Sequence, residues 1–483
     1  MRLKLVLCSL LLLTAAILPQ AAPAAFADSK PASMPTPPPQ GFYYDGFARN
    51  RFEYDDWYAP VELDRASRFD TLKAQLGGGY RDDRFEAYAQ AQFFGGVNIP
   101  DRATGTGGAF YLQNNHENFG DVGYRQANVT FKQSDENPVS VKVGRFLYSS
   151  GEEVGLQDVN LAWLQSFRIA QRLIGVSDYN IGRSFNGVRL DRNDGPHTVT
   201  LTYSNPSQGV NQANINPTLY GVDIATAAYT YATSSLVAQS FFYYYGDGRG
   251  DVPADNRTIE ERNLDRSFIN IYSFGGSAVK LFDMGDNQYF DTVIWGVGQA
   301  GNYGDLDHKA AALVLEAGYQ FRDVAWQPWF RAGWNYATGD HSTTDNAHTT
   351  FSQLIPTARR YAQIPFYNMQ NTDDLFVQAI VKPTTNLKVR SDLHYLQLSS
   401  NNDLLYAGAG PNDKDRFGMA GIPSAGSYNV GVLLDADVTY QITQTISSSV
   451  YVGHLFPGGV IDGNFPAGRR DITYTFWDVN YKF

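Results

Sequence analysis

The chain has 483 residues, 38 Lys and Arg against 49 Asp and Glu, a formal net charge of −11 and a single cysteine. An acidic balance without any basic run argues against a nucleic-acid partner. Cys8 sits inside the N-terminal apolar run, so the chain after that run offers no disulfide, no thiolate ligand and no cysteine nucleophile.

Arg2 and Lys4 precede an apolar run from Leu5 to Leu18 and a small-residue stretch ending at Ala25-Phe26-Ala27. This is the pattern of a secretory signal, expected over residues 1–27 and cleaved before Asp28. Residues 28–46 carry Pro35-Thr36-Pro37-Pro38-Pro39 and read as a Pro-rich N-terminal lead. No later run is long and apolar enough for a transmembrane helix. Yet 31 Tyr, 30 Phe and 45 Gly, with a mean hydropathy of −0.33, suit a membrane barrel, whose strands average lipid-facing and lumen-facing residues. A soluble array of β-sandwiches would share that composition.

From residue 47 to 483 one theme repeats: an alternating apolar and polar segment, then a turn. Strands are expected near 47–57, 66–79, 84–95, 121–132, 138–148, 184–192, 197–204, 222–233 and 235–246. They continue near 266–280, 288–301, 309–322, 325–338, 372–383, 387–399, 427–441, 445–456 and 470–483. In 197–204, Val199, Leu201 and Tyr203 oppose Thr198, Thr200 and Thr202. In 430–440, Val432, Leu434, Ala436 and Val438 oppose Asp435 and Asp437. Tight links such as Arg81-Asp82-Asp83, Asn193-Asp194-Gly195-Pro196 and Thr384-Thr385-Asn386 alternate with longer ones at 96–120, 149–183, 205–221, 247–265, 302–308, 339–371, 400–426 and 457–469. Short and long links alternate this way in outer-membrane barrels, with periplasmic turns at one rim and external loops at the other. A Greek-key sandwich has no reason to show it. The chain ends on Trp477-Asp478-Val479-Asn480-Tyr481-Lys482-Phe483, an alternating strand with a terminal Phe that resembles the insertion signal of such barrels. The expected fold is all-β: an antiparallel transmembrane barrel of about 18 strands, porin-like, with long extracellular loops, placed in the cell outer membrane after signal cleavage.

If apolar residues face lipid, strand parity turns Lys73, Glu86, Lys142, Arg189, Asp191, Glu316, Arg331, Arg390, Asp392, His394, Asp435, Asp437 and Asp478 inward. Neighbouring strands then bring Glu316 near Arg331 and Arg390 near Asp435, either as self-satisfied pairs in a wall or as the lining of an aqueous path. Residues 160–175 read as a short amphipathic helix that folds into the mouth or caps the rim. The 339–371 loop, with Arg359 and Arg360, is the other candidate for an inward fold.

Catalysis finds no constellation. The seven His lie outside any G-x-S-x-G or H-E-x-x-H motif, and His394 with Asp392 reads as a polar wall. No enzyme, no cofactor and no metal site is expected. Scattered acids such as Asp247, Asp251 and Asp255 would admit loop Ca²⁺ without predicting it.

Several segments resemble the alginate export family of outer-membrane barrels. They are Arg125-Gln126-Ala127, Gly144-Arg145 and Arg183 through Leu190, then Gly339-Asp340, Thr350-Phe351, Leu354-Ile355-Pro356-Thr357 and Tyr361, and finally Gly453 through Gly458. The resemblance implies an 18-stranded monomer with a constricted, electropositive lumen that passes an anionic polysaccharide. By position it carries Lys73, Arg125 and Arg360 over as basic lumen residues and Asp158 as an acid of the constriction. The chain departs from the family at Phe146-Leu147 and at Ser449, Tyr451 and Gly453, where the exporter is basic. Parity from Val129 and Phe131 would also turn Arg125 toward lipid unless a bulge intervenes.

The expected function is an outer-membrane channel for a polar, anionic saccharide. A small-solute uptake porin is the alternative, and a barrel enzyme or a plugged structural barrel are the lesser ones. Expected partners are outer-membrane lipid and lipopolysaccharide, the barrel-insertion machinery and, for an exporter, periplasmic export components.

Overall fold

A computed structural model describes residues 40–63, 66–177, 180–209, 211–355, 363–407 and 420–483. The expected signal, most of the Pro-rich lead, and Arg359 and Arg360 lie outside the described residues.

Eighteen strands close into one antiparallel barrel. The first nine are β1 Gly41–Asp56, β2 Ser67–Arg81, β3 Phe85–Val97, β4 Phe119–Phe131, β5 Ser140–Phe146, β6 Phe185–Asp194, β7 His197–Pro206, β8 Val222–Ala232 and β9 Leu236–Asp247. The rest are β10 Ile269–Asp283, β11 Gln288–Tyr303, β12 Leu306–Phe321, β13 Trp329–Ala337, β14 Asp373–Thr384, β15 Leu387–Gln397, β16 Asn429–Gln441, β17 Ile446–Pro457 and β18 Ile472–Lys482. Each pairs with its neighbour in sequence. The ring closes where β18 pairs with β1, from Phe47 opposite Lys482 to Asp56 opposite Thr473. Closure is obligatory in hydrocarbon, where an open sheet edge would leave its backbone groups unpaired.

The terminal residue takes part in this seam. Phe483 exchanges two backbone hydrogen bonds with Gly46, of 3.0 and 3.1 Å. Its ring fills the space above Gly46, where a Cβ would come within 2.0 Å of it. The first strand therefore starts at Gly41 rather than near 47, inside the stretch expected as lead.

The outer surface follows the parity. Phe131, Leu201, Tyr203, Phe274, Ile294, Phe330, Leu375, Leu393, Leu434 and Val450 are exposed. An apolar belt of this extent suits hydrocarbon and not water. Two connections differ from expectation. The 302–308 link is only the turn Gly304-Asp305, because β11 and β12 run on as a hairpin from Tyr303 to Leu306. The link at Asp323-Val324 spans 322–328, with Trp326 and Gln327 in the left-handed region.

The interior is less uniformly polar than parity suggests. Inward residues of β8 to β13, among them Ile224, Tyr243, Ile271, Val293, Trp295 and Val314, pack in one apolar cluster. Their partners are Leu161, Leu164, Leu173 and Ile174 from one long loop, and Phe351, Leu354, Ile355, Ile364 and Phe366 from another. The core of this barrel is where two loops fold into its lumen.

Candidate functional site

The first in-folded loop, 147–184, runs deep. Asp158 caps a short helix, Val159–Leu164, by accepting from the Asn160 and Leu161 amides at 2.9 Å each. Its carboxylate also lies 3.5 Å from Arg322, at the tight-turn rim. Asn160 bonds Gln320, near the same rim. A chain that leaves the barrel at the external rim thus reaches its opposite end. Trp163 is held there between Phe167 and Trp329, with ring centroids 5.2 Å from each. The helix is shorter than the 160–175 stretch expected, passing into a π turn, Gln165–Ile169.

That turn aims Arg168 at Glu316 on β12, with nitrogen to oxygen distances of 2.7–2.8 Å. Arg172 lies 3.6 Å from the same carboxylate, and Arg331 on β13 lies 3.1 Å from it. Arg331 also bonds Asp291 on β11 at 2.9 Å, and the Trp329 indole donates to Asp291 at 2.7 Å. Glu316 is a buried anion shared by three guanidinium groups. That arrangement is stable only because each charge is met by others in the dry interior.

The second in-folded loop, described over 338–355 and 363–372, lies against the first. Ile355 makes a parallel bridge with Ile174, and its amide donates to Leu173 O at 3.1 Å. Gln353 donates to Arg172 O at 3.0 Å. On the other side, Gln299 of β11 donates to Ser352 O at 2.7 Å and accepts from the Ser352 amide at 2.9 Å. The two loops form one constriction pinned to β11 to β13.

Inward cations gather on the wall from β1 to β6, beside the buried acids Glu53 and Asp55 of β1. Arg49 of β1 faces inward and stands opposite Lys73 of β2 in the register, with Asn480 on its other side. Arg51 is clamped by Asp478 of β18 through both carboxylate oxygens. Arg125 turns inward, buried, where it donates to Gln92 Oε1 at 3.3 Å and Ile181 O at 3.2 Å. A bulge makes this possible: Gln90 pairs with Gln126 and Ala91 with Tyr124, so Arg125 is the extra residue. The parity conflict at Arg125 is resolved there, with Tyr124 outward on one side and Ala127 outward on the other. Further along, Lys142 of β5 stands opposite Arg189 of β6. Arg189 is held by Asp191 at 2.8 Å on its own strand. Arg145, by contrast, lies over the outward Tyr124 ring at 4.0 Å and bonds Asn216 O at 2.7 Å, so it belongs to the outer rim.

The wall from β14 to β16 is acidic. Asp392 of β15 and Asp435 of β16 are register partners. Arg390 lies 3.3 Å from Asp392 and 3.9 Å from Asp435. His394 Nδ1 bonds Asp374 at 2.9 Å.

Of the residues expected to line a path, Lys73, Arg125 and Arg189 thus lie on the basic wall, and Arg331 joins the loop hub. Asp158 caps the in-folded helix and Arg390 sits among acids; Arg360 lies outside the described residues. Sequence reasoning did not single out Arg49, Arg51, Arg168 or Arg172. The signal for the last two was present: two arginines four residues apart in an otherwise apolar loop, which a solvated loop would not need.

The profile of the alginate export family matches residues 54–474. No curated protein gives a significant match. Among solved structures, the chain is similar to OccK9 (OpdG) of Pseudomonas aeruginosa, with a TM-score of 0.59 at 10% identity, covering 92% of this chain and 98% of that one. OccAB4 of Acinetobacter baumannii gives 0.58 at 10% identity, over 92% and 98%. Pseudomonas aeruginosa OpdK, solved with vanillate, gives 0.55 at 10% identity, over 91% and 98%.

Proposed function

The chain belongs to the alginate export family and is an outer-membrane channel, and from that premise we propose that it conducts a polar, anionic saccharide along its basic wall. The observation that carries the reading is two pairs of like-charged neighbours: Arg49 opposite Lys73, and Lys142 opposite Arg189, all turned inward. Like charges directly opposite on adjacent strands weaken a sheet. An anionic chain moving past would be drawn to them, with low-dielectric walls focusing the field. Lys73, Arg125 and Arg189 are then residues of the path, and Arg360, outside the described residues, joins them by family position.

In this reading the leader over 1–27 is removed on export. Insertion machinery reads the terminal strand ending in Phe483, and the barrel works as a monomer in lipid and lipopolysaccharide. A polymer exporter would also need a periplasmic component at the tight-turn rim. A second reading, uptake of a small anionic solute, is favoured by the two loops folded into the lumen and by the likeness in fold to the OpdK structure solved with vanillate.

Single-channel conductance of the purified protein in a planar bilayer tests both. An oligouronate that blocks the current, with block weakened about tenfold in Lys73→Ala and Arg125→Ala, supports the saccharide route. Block by small aromatic carboxylates but not by oligouronate supports the small-solute reading. Stable insertion without current in any salt overturns both.

A further inference from the structure

We propose that Asp392, His394 and Asp435 form a divalent-cation site of transition-metal type within the barrel wall. One imidazole nitrogen and two carboxylate oxygens from these residues lie within 4.8 Å of one another, the spacing of ligands around a single ion. The three come from adjacent strands. Asp392 and Asp435 are register partners, and His394 follows two residues later on the same inward face of β15.

Three observations point to a ligand and not to a polar wall alone. First, all three side chains are buried: Asp392 and His394 are 1% exposed and Asp435 is 0%. Burial of this degree denies them water. Second, their coordinating atoms are left over by the surrounding hydrogen bonds. His394 uses Nδ1 on Asp374 at 2.9 Å, and Nε2 has no hydrogen-bond partner. Asp392 uses Oδ1 on Gln378 at 2.6 Å, and Oδ2 has no hydrogen-bond partner. Neither oxygen of Asp435 has one. Unmade hydrogen bonds on buried polar atoms are costly, and a metal ion would satisfy all four atoms at once. Third, acids crowd the site. Asp374, Asp392 and Asp435 share Arg390, whose nearest contacts of 3.3 and 3.9 Å are ion pairs without a formed hydrogen bond from Nε or Nη2, and Arg168, which also faces Asp374 and Asp392 but has Glu316 as its closest carboxylate. Asp437, opposite Arg390 in the register, adds another acid. A bound dication would offset this crowding.

The donor set selects the ion. Ca²⁺ and Mg²⁺ prefer all-oxygen cages, whereas an imidazole with two carboxylates suits Zn²⁺ or a neighbouring first-row ion. Asp374 is the positioning residue. Its bond to Nδ1 fixes the tautomer and presents Nε2, the arrangement by which carboxylates orient metal-bound histidines. A bound ion would clip β15 to β16 across the acidic wall. The inference does not depend on which solute the channel carries.

The test is Zn²⁺ binding by the full-length protein in detergent, stripped with EDTA, dialysed and titrated, with bound metal counted by mass spectrometry and Ca²⁺ and Mg²⁺ run as controls. One tightly bound Zn²⁺ per chain is expected, weakened at least 100-fold in His394→Ala and Asp435→Asn and roughly 10- to 100-fold in Asp374→Asn. Heat-modifiable gel mobility reports whether each variant is folded. If His394→Ala does not fold, Asp435→Asn and Asp374→Asn decide the question. No Zn²⁺ above background in the wild type, or equal Zn²⁺ in the wild type and in folded ligand variants, overturns the proposal and leaves His394 as an imidazolium paired with the carboxylates. Equal affinity for Ca²⁺ and Zn²⁺ overturns the choice of ion class.

Discussion

The lumen has two walls built from the same backbone pattern. On the β1 to β6 side, inward positions bring Arg49 opposite Lys73 and Lys142 opposite Arg189. On the β14 to β16 side they bring Asp392 opposite Asp435. Both walls place like charges face to face, at a cost to the sheet. The cost is answered differently on each side. Arg51 and Arg189 have carboxylate clamps at hydrogen-bonding distance. Asp435, fully buried, lies near His394 and in a long ion pair with Arg390, with both oxygens short of a hydrogen bond. The comparison teaches that one wall gathers inward cations, most of them buried, while the other buries acids whose oxygens lack hydrogen bonds. Between them, the Glu316 hub pins the loop that folds into the lumen.

The largest effect is expected at that hub. Glu316→Ala would strand Arg168, Arg172 and Arg331 without their common anion, costing about 3–5 kcal/mol. Denaturant-driven loss of the heat-modifiable band would report it, together with a higher conductance as the loop leaves the lumen. Unchanged stability and conductance would mean that the loop is held by its apolar contacts alone.

Charge reversal on the basic wall comes next. Lys73→Glu gives Arg49 a carboxylate neighbour and removes a cation from the path, so the reversal potential in a salt gradient should move toward cation selectivity. Asp435→Asn on the acidic wall should shift it the other way or not at all. Equal shifts of one sign in both variants would break the division between the walls.

A smaller effect is expected from Asp158→Ala, which removes the cap of the in-folded helix and costs about 1 kcal/mol. Its readout is faster proteolysis within 147–184, with selectivity unchanged.

The smallest is a pH effect at the external rim, away from both walls. Burial pushes the Asp340 carboxyl up to about 6 from 3.8, and nearby Asp403 adds to the rise. Asp403 is itself raised by burial, while accepting from the Asp340 amide at 2.9 Å and from Tyr406 at 2.7 Å. A carboxyl whose folded value lies above its unfolded value favours the folded state when protonated. The loop packing should therefore weaken as pH rises from about 4 through about 6. Limited proteolysis at pH 5 and pH 7.5 would show more protection at the lower pH, and Asp340→Asn should flatten the difference.

Much of the architecture was legible. The period-2 alternation in segments such as Val199-Leu201-Tyr203 placed every barrel strand, because lipid on one side and a lumen on the other impose opposite chemistry on successive residues. The hairpin at Gly304-Asp305 was read as a longer link because its flanking residues, such as Asn302 and Asp307, are polar on both faces outside the lipid. Parity alone would turn Arg125 outward, because one bulged residue inverts the count, whereas the resemblance implied the inward position.

The sequence by itself determined the barrel, its strand number and the face on which charge is tolerated, since these depend on local alternation and turn chemistry. Tertiary structure alone decided that two loops would pack apolar side chains against the inner face of β8 to β13, and that Arg168 and Arg172 would meet Glu316 from roughly 150 residues away in sequence. It likewise decided that Asp374, Asp392, His394 and Asp435 would converge. Contacts of this kind depend on register and on which loop folds inward, and these follow from packing and closure in three dimensions, which leave no periodic trace along the chain.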